Sequence, residues 1–153
     1  MRILLDTNLL SRLANATDPN QKLAEKAIET LRLAGYRPCI VPQNIYEFWV
    51  VATRPKAQNG LGMSLSAAAA EILNFKSLFP LCEDTPAVLQ EWEKVIAAYA
   101  VIGKNGHDAR FVAAMVVHRI SHFLTFNVQD FRRYTGITVL SPEEATKVPL
   151  SKS

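Results

Sequence analysis

The sequence predicts an α/β domain with a central parallel sheet of four to five strands and helices on both faces. Two observations lead there. Short aliphatic runs alternate with longer stretches of helical period along most of the chain, the pattern of strands joined by crossover helices. The 153 residues are 49% hydrophobic and 20% charged, which suits one domain with an ordinary core. Residues 1–148 are expected to form that domain, with 149–153 as a C-terminal tail.

Residues 2–5, Arg-Ile-Leu-Leu, read as the first strand, and a polar segment follows. Leu23, Ala27, Ile28, Leu31 and Ala34 recur at helical spacing over 20–34, and Gly35 closes that helix. Residues 37–41 are a second strand, stopped by Pro42. A helix over about 43–53 carries Ile45, Phe48, Trp49 and Ala52 as its apolar stripe. Proline, two glycines and Asn-Gly make 54–63 a loop. Ser64 caps a third helix to about 78, residues 79–82 are a short strand, and Thr85-Pro86 opens a helix reaching about Val101. After a turn from Gly103 to Gly106, residues 107–119 form a helix, 121–126 and 137–140 two further strands, and Pro142 opens a last helical turn. Trp49 and Trp92 sit at helical spacing with other apolar residues and read as core.

Composition excludes several classes. The apolar fraction is too high for a disordered chain, and 8 Pro with 6 Gly are too few for a low-complexity one. No apolar run reaches the roughly 18 residues of a membrane span. The N-terminus does not read as a signal peptide, since Asp6 stops its aliphatic run early, so a cytoplasmic protein is expected. Cys39 and Cys82 lie in apolar stretches, 43 residues apart, and are expected to be reduced, buried thiols. The net charge of +3 permits a nucleic-acid partner without requiring one. No phosphate-cradling glycine loop or nucleophile elbow is present, and His107-Asp108 lacks the further paired His and Asp ligands of an HD phosphohydrolase.

In an open parallel sheet the ligand site lies beyond the carboxyl ends of the strands. Three acids fall in such positions. Asp6 directly follows three aliphatics, and a carboxylate ending an inner strand is costly unless it is hydrogen-bonded, paired or bound to a cation. Glu47 lies one turn into the helix after the second strand, among Tyr46, Phe48 and Trp49, which does not suit a solvated charged face. Asp108 starts the helix after Gly106, where the helix dipole alone would favour it. Gathered in one cleft, the three would repel one another and raise their pKa values unless a cation were present. An all-oxygen set without His or Cys suits Mg²⁺ or Mn²⁺ better than zinc.

Four stretches together resemble the PIN-domain ribonucleases, specifically the VapC-like toxins of type II toxin–antitoxin pairs. They are Leu-Leu-Asp6-Thr7-Asn8, Glu47 in its helix, Gly-His-Asp108-Ala-Arg-Phe-Val-Ala-Ala, and Phe-Leu-Thr125-Phe-Asn127-Val-Gln-Asp130-Phe131. They span residues 4 to 131 in the family's order. The resemblance implies a PIN-like fold and an acidic pocket of Asp6, Glu47 and Asp108 that binds Mg²⁺ or Mn²⁺. Asp6 and Asp108 would anchor the ion, and Glu47 would hold it through water or orient the attacking water. Thr7 and Asn8 match polar positions that hold a carboxylate or cap the next helix. Many relatives carry Asp where this chain has Asn127. Asn127 can hydrogen-bond a metal-bound water or coordinate through its carbonyl but adds no charge, Asp130 can compensate, and a one-metal site is the default.

The implied activity is endonucleolytic cleavage of single-stranded or looped RNA. Arg54, Lys56, Lys104, Arg110, Arg132 and Arg133 are either contacts to flanking phosphates or ordinary surface charges. A cognate antitoxin and a homodimer are the implied protein partners; the unusually apolar helix 64–78 must be covered by this chain or by a second copy. The alternative is a catalytically impaired PIN-like module that binds RNA or protein, an option kept open by Asn127.

Overall fold

The computed structural model describes residues 1–152. Four strands, β1 (Arg2–Leu5), β2 (Arg37–Cys39), β3 (His122–Leu124) and β4 (Thr138–Leu140), form one sheet in the order β2-β1-β3-β4, every pair parallel. Leu4 lies opposite Cys39 on one side and Phe123 on the other, so β1 is an inner strand. Both faces of an inner parallel strand are covered, which is why β1 reads as a continuous aliphatic run rather than an alternating one. Successive residues then serve opposite cores. Ile3, Leu5 and Leu124 pack against Leu9, Ala27, Leu31 and Phe48, whereas Leu4 and Phe123 pack against Val95, Phe111, Met115 and Phe131.

The first core is closed by α1 (Thr7–Leu13), α2 (Gln21–Leu33), α3 (Pro42–Thr53), α4 (Leu65–Leu78) and the short α8 (Pro142–Ala145). The second is closed by α5 (Pro86–Ala98), α6 (Asn105–His118) and the short α7 (Val128–Phe131). Helices thus cover both faces, as expected. The start of α6 is fixed to α5 by Trp92, whose indole Nε1 donates to the Gly106 carbonyl at 2.7 Å. The two tryptophans are half-buried at the edges of the cores rather than central to them.

Several sequence expectations need correction. The polar segment after β1 is helical: α1 buries Leu9 and Leu10 although its length is only 7 residues, too short to display a clear period. The strand expected at 79–82 is a single parallel bridge between Ile40 and Leu81, held by Ile40 N–H to Pro80 O (3.0 Å) and Cys82 N–H to Ile40 O (2.8 Å). α5 ends at Ala98, short of Val101, and α7 was not foreseen. α4 buries only Ala68 and Phe75 and leaves Leu65 and Leu73 exposed, so this chain does not cover it fully. Both cysteines are free and buried, and burial beside Cys82 pushes the Cys39 thiol up to about 12. Residues 149–152 carry no helix or strand; Ser153, the last of the expected tail, lies outside the described residues.

Candidate active site

The chain leaves β1 towards β2 and leaves β3 towards β4, on opposite sides, so strand order reverses between β1 and β3. That is where an open α/β sheet leaves a crevice at its carboxyl end. Asp6 follows β1 and Thr125 follows β3, and the Asp6 N–H donates to Leu124 O at 2.9 Å. Asp6 occupies the residue before α1, where an Asp side chain commonly caps the helix, yet its carboxylate makes no capping bond. Instead Oδ2 accepts from Thr125 Oγ1 at 2.7 Å and from Asn8 Nδ2 at 3.3 Å. Thr125 Oγ1 in turn accepts from the Asn127 N–H at 2.9 Å, so one hydroxyl joins both strand ends.

Glu47 is brought to the same place by a second network. Pro42 starts α3, and the buried Asn44 accepts from Val41 N–H at 2.8 Å while donating to Leu5 O at 2.9 Å. This ties the start of α3 to the end of β1. One turn on, Glu47 Oε1 accepts from Thr7 Oγ1 at 2.7 Å and Oε2 from Gln43 Nε2 at 3.0 Å. Gln43 Nε2 also donates to the His107 carbonyl at 2.7 Å, next to Asp108 in the first turn of α6. Three elements, β1, α3 and α6, therefore deliver Asp6, Glu47 and Asp108 to one region.

The electrostatics match this convergence. Asp6, 9% exposed, has its pKa raised from 3.8 to about 7: burial is the main cause, Glu47 and Asp108 add to it, and the Thr125 hydroxyl opposes it. Asp108 is raised to about 6, chiefly by burial and then by Asp130 and Glu47, with His107 and Arg133 opposing. Groups that hold each other's protons in this way are relieved by a cation. Among the described residues no group of three or more His, Cys, Asp or Glu side chains is gathered closely enough to hold a metal ion as they stand. An oxygen-only set of this openness suits a hard ion that keeps part of its water, and does not suit a four-ligand zinc site.

A cleft of about 670 Å³ opens from Thr7, Asn8 and Glu47. One wall is apolar, with Tyr46 (64% exposed), Val50 and Val51 from α3; the other carries Ser11 and Arg12 from α1, with His107 and Arg110 at the far side. Of the expected phosphate contacts, Arg110 reaches the cleft, paired with Asp84 at 2.7 Å. Arg132 lies with Asn127 and Asp130 on a separate depression beside β3 and β4, and Arg133 acts electrostatically on Asp108. Lys56 and Lys104 are exposed and do not line the cleft. Arg12 and Gln43 were missed by sequence reasoning because the helix carrying the first was not recognised and the second lay outside any motif.

Arg54 ends α3 and closes the following loop, donating to Asn59 O at 3.1 Å and accepting Gly62 N–H on its own carbonyl at 2.9 Å. It does not line the cleft. That closure depends on Gly60: a Cβ there would fall 1.9 Å from the Arg54 carbonyl oxygen. Gly60→Ala is expected to destabilise the protein by about 1–3 kcal/mol, read as a melting temperature lower by several degrees. An unchanged melt would show that the loop has room to move.

The sequence model of the PIN-domain family matches residues 3–137. A search of curated proteins by sequence found no match. Among solved structures, a chain of the VapBC2 complex of Rickettsia felis, bound to a DNA fragment from its promoter, superposes with a TM-score of 0.67 at 14% identity, over 92% of this chain and 98% of that one. A chain of the DNA-bound VapBC complex of Salmonella typhimurium gives 0.66 at 18% identity, over 93% and 98%. A toxin–antitoxin complex from Klebsiella pneumoniae gives 0.64 at 21% identity, over 92% and 97%. These similarities are in fold.

Proposed function

The chain belongs to the PIN-domain family, and from that membership and its acidic site we propose that it is a Mg²⁺- or Mn²⁺-dependent endoribonuclease acting on single-stranded or looped RNA. The observation that carries this reading is the meeting of Asp6, Glu47 and Asp108 at the strand-order switch, with Glu47 and Asp108 each raising the pKa of Asp6. A binding module for RNA has no use for clustered anions where phosphates must come. Asp6 and Asp108 would hold the ion and Glu47 would orient the attacking water. A bound Mg²⁺ would supply charge to the phosphate oxygens and lower the pKa of water near it.

The chain's own residues prepare this chemistry. Thr125 and Asn8 hold the Asp6 carboxylate, while Thr7 and Gln43 engage one oxygen each of Glu47. Asn127 and Asp130 stand beside the end of β3, where they would support the site as a neutral and a charged oxygen donor. The cleft is open and partly apolar, which admits an unpaired strand whose bases can lie against Tyr46 and Val50, with Arg12 and Arg110 near its phosphates.

The proposed biological setting is that of a cytoplasmic toxin neutralised by an antitoxin, supported by the shared fold with chains of VapBC complexes. A homodimer is proposed from Leu65 and Leu73 on α4, which this chain leaves uncovered. Light scattering is expected to give twice the mass of one chain, 17.0 kDa, and a monomer at micromolar concentration would refute the dimer. The activity is tested by incubating a pool of end-labelled RNAs with Mg²⁺ or Mn²⁺, beside EDTA and an Asp6→Asn control. Cutting that disappears in both controls supports the nuclease. Wild-type protein that binds RNA without cutting it supports the impaired module, and Asn127→Asp is then the informative variant.

A further inference from the structure

Gln43 is 5% exposed, lines the cleft, and uses its amide unusually fully. Its Nε2 donates to Glu47 Oε2 at 3.0 Å and to His107 O at 2.7 Å, so both amide protons are spent. The flipped amide would set its oxygen against two acceptors, so these partners fix which end is nitrogen. Oε1 is then left buried with no hydrogen-bond partner among the described residues. The nearby donors are committed: Thr7 Oγ1 donates to Glu47, and Asn44 Nδ2 to Leu5 O and Thr7 Oγ1. A buried acceptor is rarely left unmade, so Gln43 keeps this arrangement at a cost, which the two bonds of its amide nitrogen offset.

We propose that Gln43 is a positioning residue of this site, bracing Glu47 against the first turn of α6 so that Glu47 and Asp108 are held at the separation a bound cation would need. The inference rests on the metal-dependent reading above. His107 directly precedes Asp108, so the brace sets the separation of two carboxylates carried by different helices. A brace that serves the fold alone would affect stability and nothing else.

The test is a Mn²⁺ titration, followed by the electron paramagnetic resonance signal of free Mn²⁺, on metal-free wild type, Gln43→Met and Val95→Ala. Val95 packs in the core between α5 and α6, away from Gln43, and its truncation lowers stability without touching the cleft. Gln43→Met is expected to weaken Mn²⁺ binding by about ten- to a hundredfold, with Val95→Ala unchanged. Gln43→Asn, too short to hold Glu47 and His107 together, is expected to weaken binding as well and stands in if Gln43→Met does not fold. Wild-type affinity in a folded Gln43 variant overturns the proposal and leaves the nuclease reading intact. No Mn²⁺ binding by the wild type overturns both.

Discussion

Asp6→Asn is expected to reduce RNA cleavage by at least about a hundredfold while making the metal-free protein more stable than wild type at pH 8. The two effects share one cause. Asp6 is buried with Glu47 and Asp108 acting on it, and its pKa of about 7 lies well above the unfolded value of 3.8. A carboxyl raised in this way favours the fold fully below about pH 4, and that contribution is lost as pH rises through about 7. Asn carries no charge to bury and can still accept the Thr125 hydroxyl. The stability of the variant relative to wild type should therefore grow from pH 5 to pH 8. The shift sets an upper bound of about 4 kcal/mol; water entering the cleft reduces it, and a gain of about 2 kcal/mol corresponds to about 4–8 °C in melting temperature. Added Mg²⁺ should reverse the order at pH 8 by stabilising wild type alone. Coincident melts with EDTA at pH 8 would mean that Asp6 does not carry a confined charge, and the metal reading would lose its main support.

The parts of this site that were legible from sequence are those where a residue contradicts its surroundings. Asp6 after three aliphatics and Glu47 between aromatic neighbours each asked for a partner, and each has hydrogen-bond donors at the switch point. The sheet was legible for a related reason, since strands buried on both faces leave unbroken aliphatic runs. What escaped were features without periodicity or motif. α1 is 7 residues with a polar first turn, so its two buried leucines did not separate it from a loop, and Arg12 was lost with it. The bridge at Leu81 was over-read as a strand because Phe79 and Leu81 are apolar whether or not a ladder forms. Arg54 looked like a phosphate contact by position and charge, but its backbone and guanidinium close a loop. Gln43 is an ordinary polar residue until the helix places it between Glu47 and His107.

Thr125→Val should separate two roles of a single hydroxyl. Its bond to Asp6 Oδ2 at 2.7 Å is the largest influence lowering the Asp6 pKa, and it also receives the Asn127 N–H. Valine keeps the shape and removes these two bonds together with a longer one from Asn8 Nδ2 at 3.4 Å. Stability should fall by about 1–3 kcal/mol, the usual consequence of leaving buried polar groups unpaired. The more telling effect is on pH dependence. Without the hydroxyl the Asp6 pKa rises further above 7, so the carboxylate needed by the cation forms at higher pH. Each unit of that rise lowers the ionised fraction near neutrality about tenfold. Cleavage at pH 7 is therefore expected to drop about tenfold or more, and the deficit to narrow by pH 9, with Thr125→Ser close to wild type at both. Rates measured at one fixed, subsaturating Mg²⁺ concentration across this range decide the matter, and the deficit should shrink as Mg²⁺ is raised to saturation. A deficit of the same size at every pH would mean that Thr125 serves only to hold the end of β3 in place, and that something other than this hydrogen bond keeps Asp6 available to the metal.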